Sequence, residues 1–344
     1  MKSEIDILFA LLRSAINGTT PELEPFEASR WWRLFRLLQQ NHVATLTSDA
    51  VMRLPSELLP PRDVKIPWLA EREKATRWAR YQREVQEEIV FIMQQAGIET
   101  LVLKGTHTAQ YYPQPELREF GDLDLYFYDK HDEADRVAKE KLGVSIHNES
   151  HHHTKYNYRG ITIESHYDFL NTHYPHSNRR YEALLKELVS IKDVSLFEVL
   201  FLLRHMACHF AASRLTLRDL VDWTLTCRAL HDKVDWDKAN TVVKDFGMEP
   251  FVAALNAIAE QRLGYSVTQS LSHSATQSHF EHDLLYGSVA DHTTDGLARL
   301  DWKFRRWRAN AWKRRMVFND SEPRLLLASL TSHAEKPASI LHKM

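Results

Sequence analysis

Two aspartates, Asp122 and Asp124, stand two positions apart in Gly121-Asp122-Leu123-Asp124-Leu125-Tyr126, a tract otherwise suited to an apolar strand. Residues two apart on a strand share a face, about 7 Å from each other, which leaves Leu123 and Leu125 for the core. Two ionised carboxylates that close repel, and a divalent cation is the commonest way to turn that cost into an asset. An all-oxygen donor set, with neither Cys nor His between the acids, favours Mg²⁺ or Mn²⁺ over zinc. A strand edge whose acids are simply solvated is the other reading that the pair alone allows.

The surroundings of the pair favour the metal reading. Lys104-Gly105-Thr106 sits where an apolar run turns into a helix, a place where free backbone N–H groups can hold phosphate oxygens. Gly105 lets a ligand approach the backbone, Thr106 offers a hydroxyl and Lys104 a point charge. Arg118, just upstream of the aspartates, is a second cation for the same phosphates. A third acid is expected in Ile161–Tyr167, where alternation puts Thr162, Glu164 and His166 on one face.

These residues need elements to hold them. Residues 1–97 read as helices, among them one with Trp78, Val85, Ile89, Ile92, Met93 and Ala96 as its core stripe and Gly97 as its stop. Leu54–Pro67, with four prolines, reads as a connector. Strands are expected at Glu99–Leu103, Gly121–Tyr128, Val144–His153, Tyr156–Arg159 and Ile161–Tyr167, with a turn near Gly160. Thr106–Tyr112 suits one or two helical turns, Pro113 and Pro115 an extended loop, and Asp132–Leu142 a surface helix closed by Gly143. This gives a mixed α/β unit of about 75 residues, 98–172. Residues 173–344 return to helix: a capping box at Ser195 and Glu198 opens one, and Arg218–His231, Asp235–Phe246 and Glu249–Leu263 follow. The tail after Glu322 reads as irregular.

The residues Leu103-Lys104-Gly105, Tyr112-Pro113, Arg118-Glu119-Phe120-Gly121-Asp122-Leu123-Asp124 and Glu164-Ser165-His166 resemble the nucleotidyltransferases of the DNA polymerase β-like superfamily. Within it they are most similar to the family catalogued as uncharacterised nucleotidyltransferases, with its L-K-G, Y-P, R-x-x-G-D-x-D and an acid two residues before a histidine. The strong part spans residues 100–168; Arg218–Asp222 falls where the family has a similar helix. The resemblance implies an α+β chain: a small mixed β-sheet domain like the polymerase β palm, flanked by amino-terminal helices and a carboxy-terminal helical bundle. It implies metal-dependent transfer of an NMP from an NTP such as ATP to a hydroxyl-bearing acceptor, with release of pyrophosphate. Asp122, Asp124 and Glu164 would be the catalytic and metal-holding acids for Mg²⁺ or Mn²⁺. One metal would activate the acceptor hydroxyl with help from Glu164, the other escort the triphosphate. Lys104, Gly105, Thr106 and Arg118 would bind the nucleotide. The acceptor stays open among a protein side chain, a tRNA end and a small hydroxylated metabolite.

Other clusters have two readings each. His147, His151, His152 and His153 alternate faces, so at most two project together; a polar strand beside the nucleotide is favoured over zinc. His205 and His209 share a helix face and read as packing. Asp219 and Asp222 read as ties between the bundle and the sheet, with Arg214 and Arg218 reaching a phosphate as the alternative. Trp302–Phe318, rich in Lys, Arg and Trp, could grip nucleic acid or an anionic membrane; tryptophans packed on the bundle with cations in water is the favoured reading.

Composition bounds the rest. The 344 residues, 44% of them hydrophobic, suit a folded protein with a substantial core, and a net charge of −2 gives no global attraction to polyanions. Cys208 and Cys227 form no metal or redox spacing. Glu4, Asp6 and Arg13 interrupt the first apolar run, which fits an amphipathic helix better than a signal peptide. No segment is expected to have the roughly 20 apolar residues of a membrane span, and a cytoplasmic location is expected. Besides the transferase, two further classes remain: a catalytically silent nucleotide-binding protein, and a nucleic-acid-binding module built on the basic helix.

Overall fold

A computed structural model describes residues 3–119, 121–148, 150–266, 276–287 and 296–334, so Phe120 of the acidic motif lies outside the described residues. Helix α1 (Glu4–Asn17) opens with a reciprocal cap in which the Ser3 hydroxyl accepts from the Asp6 N–H while the Asp6 carboxylate accepts from the Ser3 N–H. Helices α2 (Ser29–Gln40), α3 (Ala44–Met52) and α4 (Arg62–Gln95) follow. The expected connector at Leu54–Pro67 is shorter, because α4 begins at Arg62 and carries Pro67 inside it, forgoing one backbone bond near its start. Val85, Ile89 and Met93 of α4 are fully buried, whereas Trp78, expected on the same stripe, is 41% exposed. Gly97 then stops the helix at φ +73°.

The sheet has four strands, β1 (Leu101–Leu103), β2 (Leu123–Tyr126), β3 (His153–Tyr158) and β4 (Ile161–His166), in the order β1-β2-β4-β3. The β1–β2 and β3–β4 pairs are antiparallel and β2–β4 is parallel. Arg159 and Gly160, at φ +51° and +81°, make the two-residue hairpin turn between β3 and β4. The expected strand at Val144–His153 is not formed. Among the described residues of that stretch only His147 bridges, to Lys155, and His153 belongs to β3. Between β1 and β2 lie α5 (Gly105–Ala109) and a 3₁₀ turn at Pro115–Leu117, where an extended loop was expected. After β2, α6 (His131–Val137) continues into a π turn, Ala138–Leu142, closed by Gly143.

The sheet is two-faced. Leu123, Leu125, Tyr156, Ile161 and Ile163 pack with Val85, Ile89 and Met93 of α4 and with Ala134 and Val137 of α6 in one core. Alternation sends Asp124, Glu164 and His166 to the opposite side. The carboxy-terminal helices are α7 (Ser177–Ser190), α8 (Val194–Ala212), α9 (Leu217–Ala229), α10 (Trp236–Asp245), α11 (Glu249–Ile258), α12 (Thr276–Tyr286), α13 (Gly296–Ala309), α14 (Ala311–Val317) and α15 (Glu322–Ala334), and of these α8 and α9 stand opposite the polar side of the sheet. A second, larger core joins α1–α4 to α7–α11. The chain is therefore α+β, a small mixed sheet among helices.

Four expectations change here. Asp193, not Ser195, caps α8, and Glu198 instead accepts from the Tyr111 hydroxyl and meets His107. Helix α8 is the one described helix long and apolar enough to cross a membrane, against the expectation of none; 67% of that stretch is buried within the protein. The segment after Glu322 is helical through Ala334, and residues 335–344 lie outside the described ones. The basic segment breaks at Asn310, and not all its cations face water: Lys313 pairs with Asp283 at 2.7 Å, and Arg314 stacks 3.7 Å from the Trp307 ring centroid.

Candidate active site

Strand register assembles the acids. Parallel pairing sets Asp124 opposite Glu164 and Tyr126 opposite His166, while the β3–β4 hairpin sets Lys155 opposite Glu164 and His153 opposite His166. Residues directly opposite share a face, so Asp124, Glu164 and Lys155 form one row and His166 and His153 stand in the next. This polar face floors a cavity of about 410 Å³ whose far walls are α8, through His205 and His209, and α9, through Arg218 and Asp222.

The Lys-Gly turn forms the cavity's edge. Leu103 pairs with Asp124, and the chain then turns with Lys104 at φ +40° and Gly105 at φ +43°. Positive φ is strained for a lysine, and such strain persists where the surroundings hold it. The turn brings Lys104 Nζ to 3.0 Å from Asp124 Oδ1. Thr106 points elsewhere: its hydroxyl donates to Gln86 of α4, and it is not part of the cavity wall.

Asp122 lies just before β2 and lines the same cavity. Desolvation raises its pKa first, and the negative charges of Asp124 and Glu164 raise it further, with Lys104 only partly offsetting them. Asp124 goes the other way. Burial pushes its carboxyl up, but Lys104 and the His166 hydrogen bond outweigh that and hold it low. Glu164 is held far below the usual carboxylate range: hydrogen bonds from His166 and Lys155, the latter at 2.6 Å, overcome its burial.

His166 ties the two acids together. Its Nδ1 lies 3.1 Å from the Asp168 carbonyl oxygen and therefore donates to it, while Nε2 lies 3.1 Å from Asp124 Oδ1 and 3.5 Å from Glu164 Oε2. Burial lowers the affinity of this buried ring for a proton, and the two carboxylates raise it above the ordinary histidine value. Asp124, Glu164 and His166 bring one ligand atom each within 4.8 Å of the others. With Asp122 on the same cavity and still burdened by uncompensated negative charge, this donor set fits a divalent cation.

Arg118 lines the cavity, but its guanidinium is taken up by Asp222 in a bidentate pair, Nε at 2.8 Å and Nη2 at 2.6 Å. The Tyr112 hydroxyl donates to the same carboxylate at 2.6 Å. Asp222 thus ties the loop before β2 to α9, as expected of it, while Asp219 caps α9 through the Thr216 N–H.

Of the residues expected at the site, Lys104, Gly105, Arg118, Asp122, Asp124 and Glu164 meet on one cavity, and Thr106 does not. Sequence reasoning missed Lys155 and the contacts of His166. It also read His205 and His209 as packing, although they line the cavity; their i, i+4 spacing was the available signal.

No curated protein and no solved structure shows significant similarity to the chain. One family model does match, that of a family described as uncharacterised nucleotidyltransferase, over residues 27–264. The match takes in the sheet, the acids, the Lys-Gly turn and the helices that wall the cavity, well over half of the sequence, and on it the chain belongs to this nucleotidyltransferase family.

Proposed function

We propose that the protein transfers an NMP from an NTP to a hydroxyl-bearing acceptor and releases pyrophosphate. The observation that carries this reading is the register of β2 on β4, which sets Asp124 abreast of Glu164 in the cavity that Asp122 and Lys104 also line. Asp122, Asp124 and Glu164 would hold Mg²⁺ or Mn²⁺, which supplies charge neutralisation at the phosphates and lowers the proton affinity of the acceptor hydroxyl.

The chain's own groups position the reactants. Lys104 receives phosphate oxygens, and Gly105 keeps the backbone beside it open to them. Glu164, kept ionised by His166 and Lys155, is a fixed negative charge that orients the acceptor hydroxyl while the new P–O bond forms and the bond to pyrophosphate breaks, the hydroxyl proton passing to solvent. Arg118, paired with Asp222, fixes the loop before β2 against α9 and so holds the aspartates that follow it in place. Positioning and electrostatics of this kind carry most of the work in phosphoryl chemistry, and no protein nucleophile is needed.

The test is incubation with each α-labelled NTP, Mg²⁺ or Mn²⁺ and a cell extract, after a control for self-labelling. Metal-dependent transfer of label to one fraction, lost in Asp124→Asn, supports the reading. Nucleotide binding with no transfer under any condition would instead assign a nucleotide-binding protein.

A further inference from the structure

His153 is 6% exposed, and neither of its ring nitrogens has a hydrogen-bond partner. Glu164 Oε1 is 3.6 Å from its Nε2, outside hydrogen-bond reach. A buried imidazole with both nitrogens unsatisfied is costly, and native proteins seldom keep one without a partner, whether ordered water or an ion. This ring lies on the cavity wall, where a ligand can reach it.

Two further imidazoles surround it. The His152 and His166 ring centroids lie 4.4 and 5.0 Å from that of His153 and 5.5 Å from each other. One nitrogen from each of the three falls within 4.8 Å of the others. His152 and His166 are also anchored through Nδ1, to Ser150 Oγ at 2.9 Å and to the Asp168 carbonyl at 3.1 Å. Outer contacts of this type fix the tautomer and aim of imidazoles that bind metals.

We propose that His152, His153 and His166 form a second metal site, for a borderline divalent cation such as Zn²⁺ or Co²⁺, adjoining the acidic one. Three imidazoles with a further position open to the cavity suit such an ion, whereas Mg²⁺ prefers oxygen. His166 belongs to both donor sets, so the two sites share a wall. The inference rests on the orphaned ring and its neighbours and does not need nucleotidyl transfer to be right.

The experiment titrates the full chain, stripped with chelator and free of nucleotide, with Co²⁺ followed by visible absorption and with Mn²⁺ followed by calorimetry. Wild type and Asp122→Asn/Asp124→Asn are expected to develop the intense bands of a nitrogen-ligated ion of low coordination number. His153→Gln should lose at least about tenfold in Co²⁺ affinity while keeping Mn²⁺ binding at the acids. Thermal unfolding checks the fold of each variant, and His152→Gln repeats the test should His153→Gln not fold. Absence of these bands in wild type, or bands lost with the aspartates but unchanged in the histidine variants, overturns the proposal. Loss of Mn²⁺ binding alone, with the Co²⁺ bands intact in wild type, would count against the acidic site and leave this one standing.

Discussion

Lys104 Nζ lies 3.0 Å from Asp124 Oδ1, held there by a backbone turn in which the lysine itself adopts φ +40°. The same cation that neutralises the acid in the free protein is placed to meet incoming phosphates. Lys104→Ala is therefore expected to weaken NTP binding about tenfold or more and to leave binding of the nucleoside close to wild type. Calorimetry with the two ligands checks this; equal losses would reduce Lys104 to a partner for Asp124.

Asp122 carries a pKa raised above its ordinary 3.8 by desolvation and by Asp124 and Glu164. A raised folded pKa means that this group's favourable contribution is complete below about pH 3.8 and is lost as pH rises through the folded value. Ionised Asp122 thus weakens the metal-free fold at neutral pH. Asp122→Asn should raise the metal-free Tm at pH 7 by about 1–3 °C, with the gain shrinking in acid, while Mn²⁺ binding is lost. A Tm that falls, with Mn²⁺ affinity unchanged, would remove Asp122 from the site.

Glu164 has the opposite sign. Its folded pKa lies below 4.5, so its contribution is complete above about pH 4.5 and fades as pH falls through the folded value. Metal-free Glu164→Gln should melt below wild type at pH 7, and the gap should close in acid. Transfer per folded molecule should drop by roughly 10²-fold or more, the usual cost of removing a positioned group, while NTP still binds. Near-normal turnover of the folded fraction would move the third acid elsewhere, with Asp168, now paired to Lys186 at 2.5 Å, the next to test.

Arg118 and Asp222 are both buried, and breaking a pair of this kind leaves an uncompensated charge. Arg118→Ala or Asp222→Ala is expected to cost about 3–5 kcal/mol, and Arg118→Met/Asp222→Leu clearly less. Urea unfolding of these three variants and of Arg118→Ala/Asp222→Ala measures the coupling. Additive losses would show that the pair has no special role in joining α9 to the loop before β2.

Much of this was legible because the local signals agree. Asp122, Asp124 and Glu164 stand out as acids in apolar strands, and Gly97, Gly143 and Gly160 stop or turn the chain where their sequence neighbours require it. What stayed hidden depends on register between distant segments. Lys155 becomes a partner of Glu164 only through the β3–β4 pairing, and Arg118 a partner of Asp222 only once α9 docks. The strand expected at Val144–His153 failed for a similar reason: β3 already occupies the edge of β4, and among its described residues the preceding chain finds only the bridge from His147 to Lys155. Pro67 misled because a proline near the start of a long helix costs one bond, which the rest of α4 outweighs.

The parallel pairing of β2 with β4 also fixes when the site can exist. Asp124 and His166 are 42 residues apart in sequence, and α6 and β3 lie on the chain between them. Closing so long a loop is slow compared with hairpin or helix formation, since its entropy is lost before the contact rewards it. During refolding, the hairpin with Lys155 and Glu164 is therefore expected to form first, and the full set of ligands only at the final docking. Metal capture then reports the last step of folding rather than guiding the first.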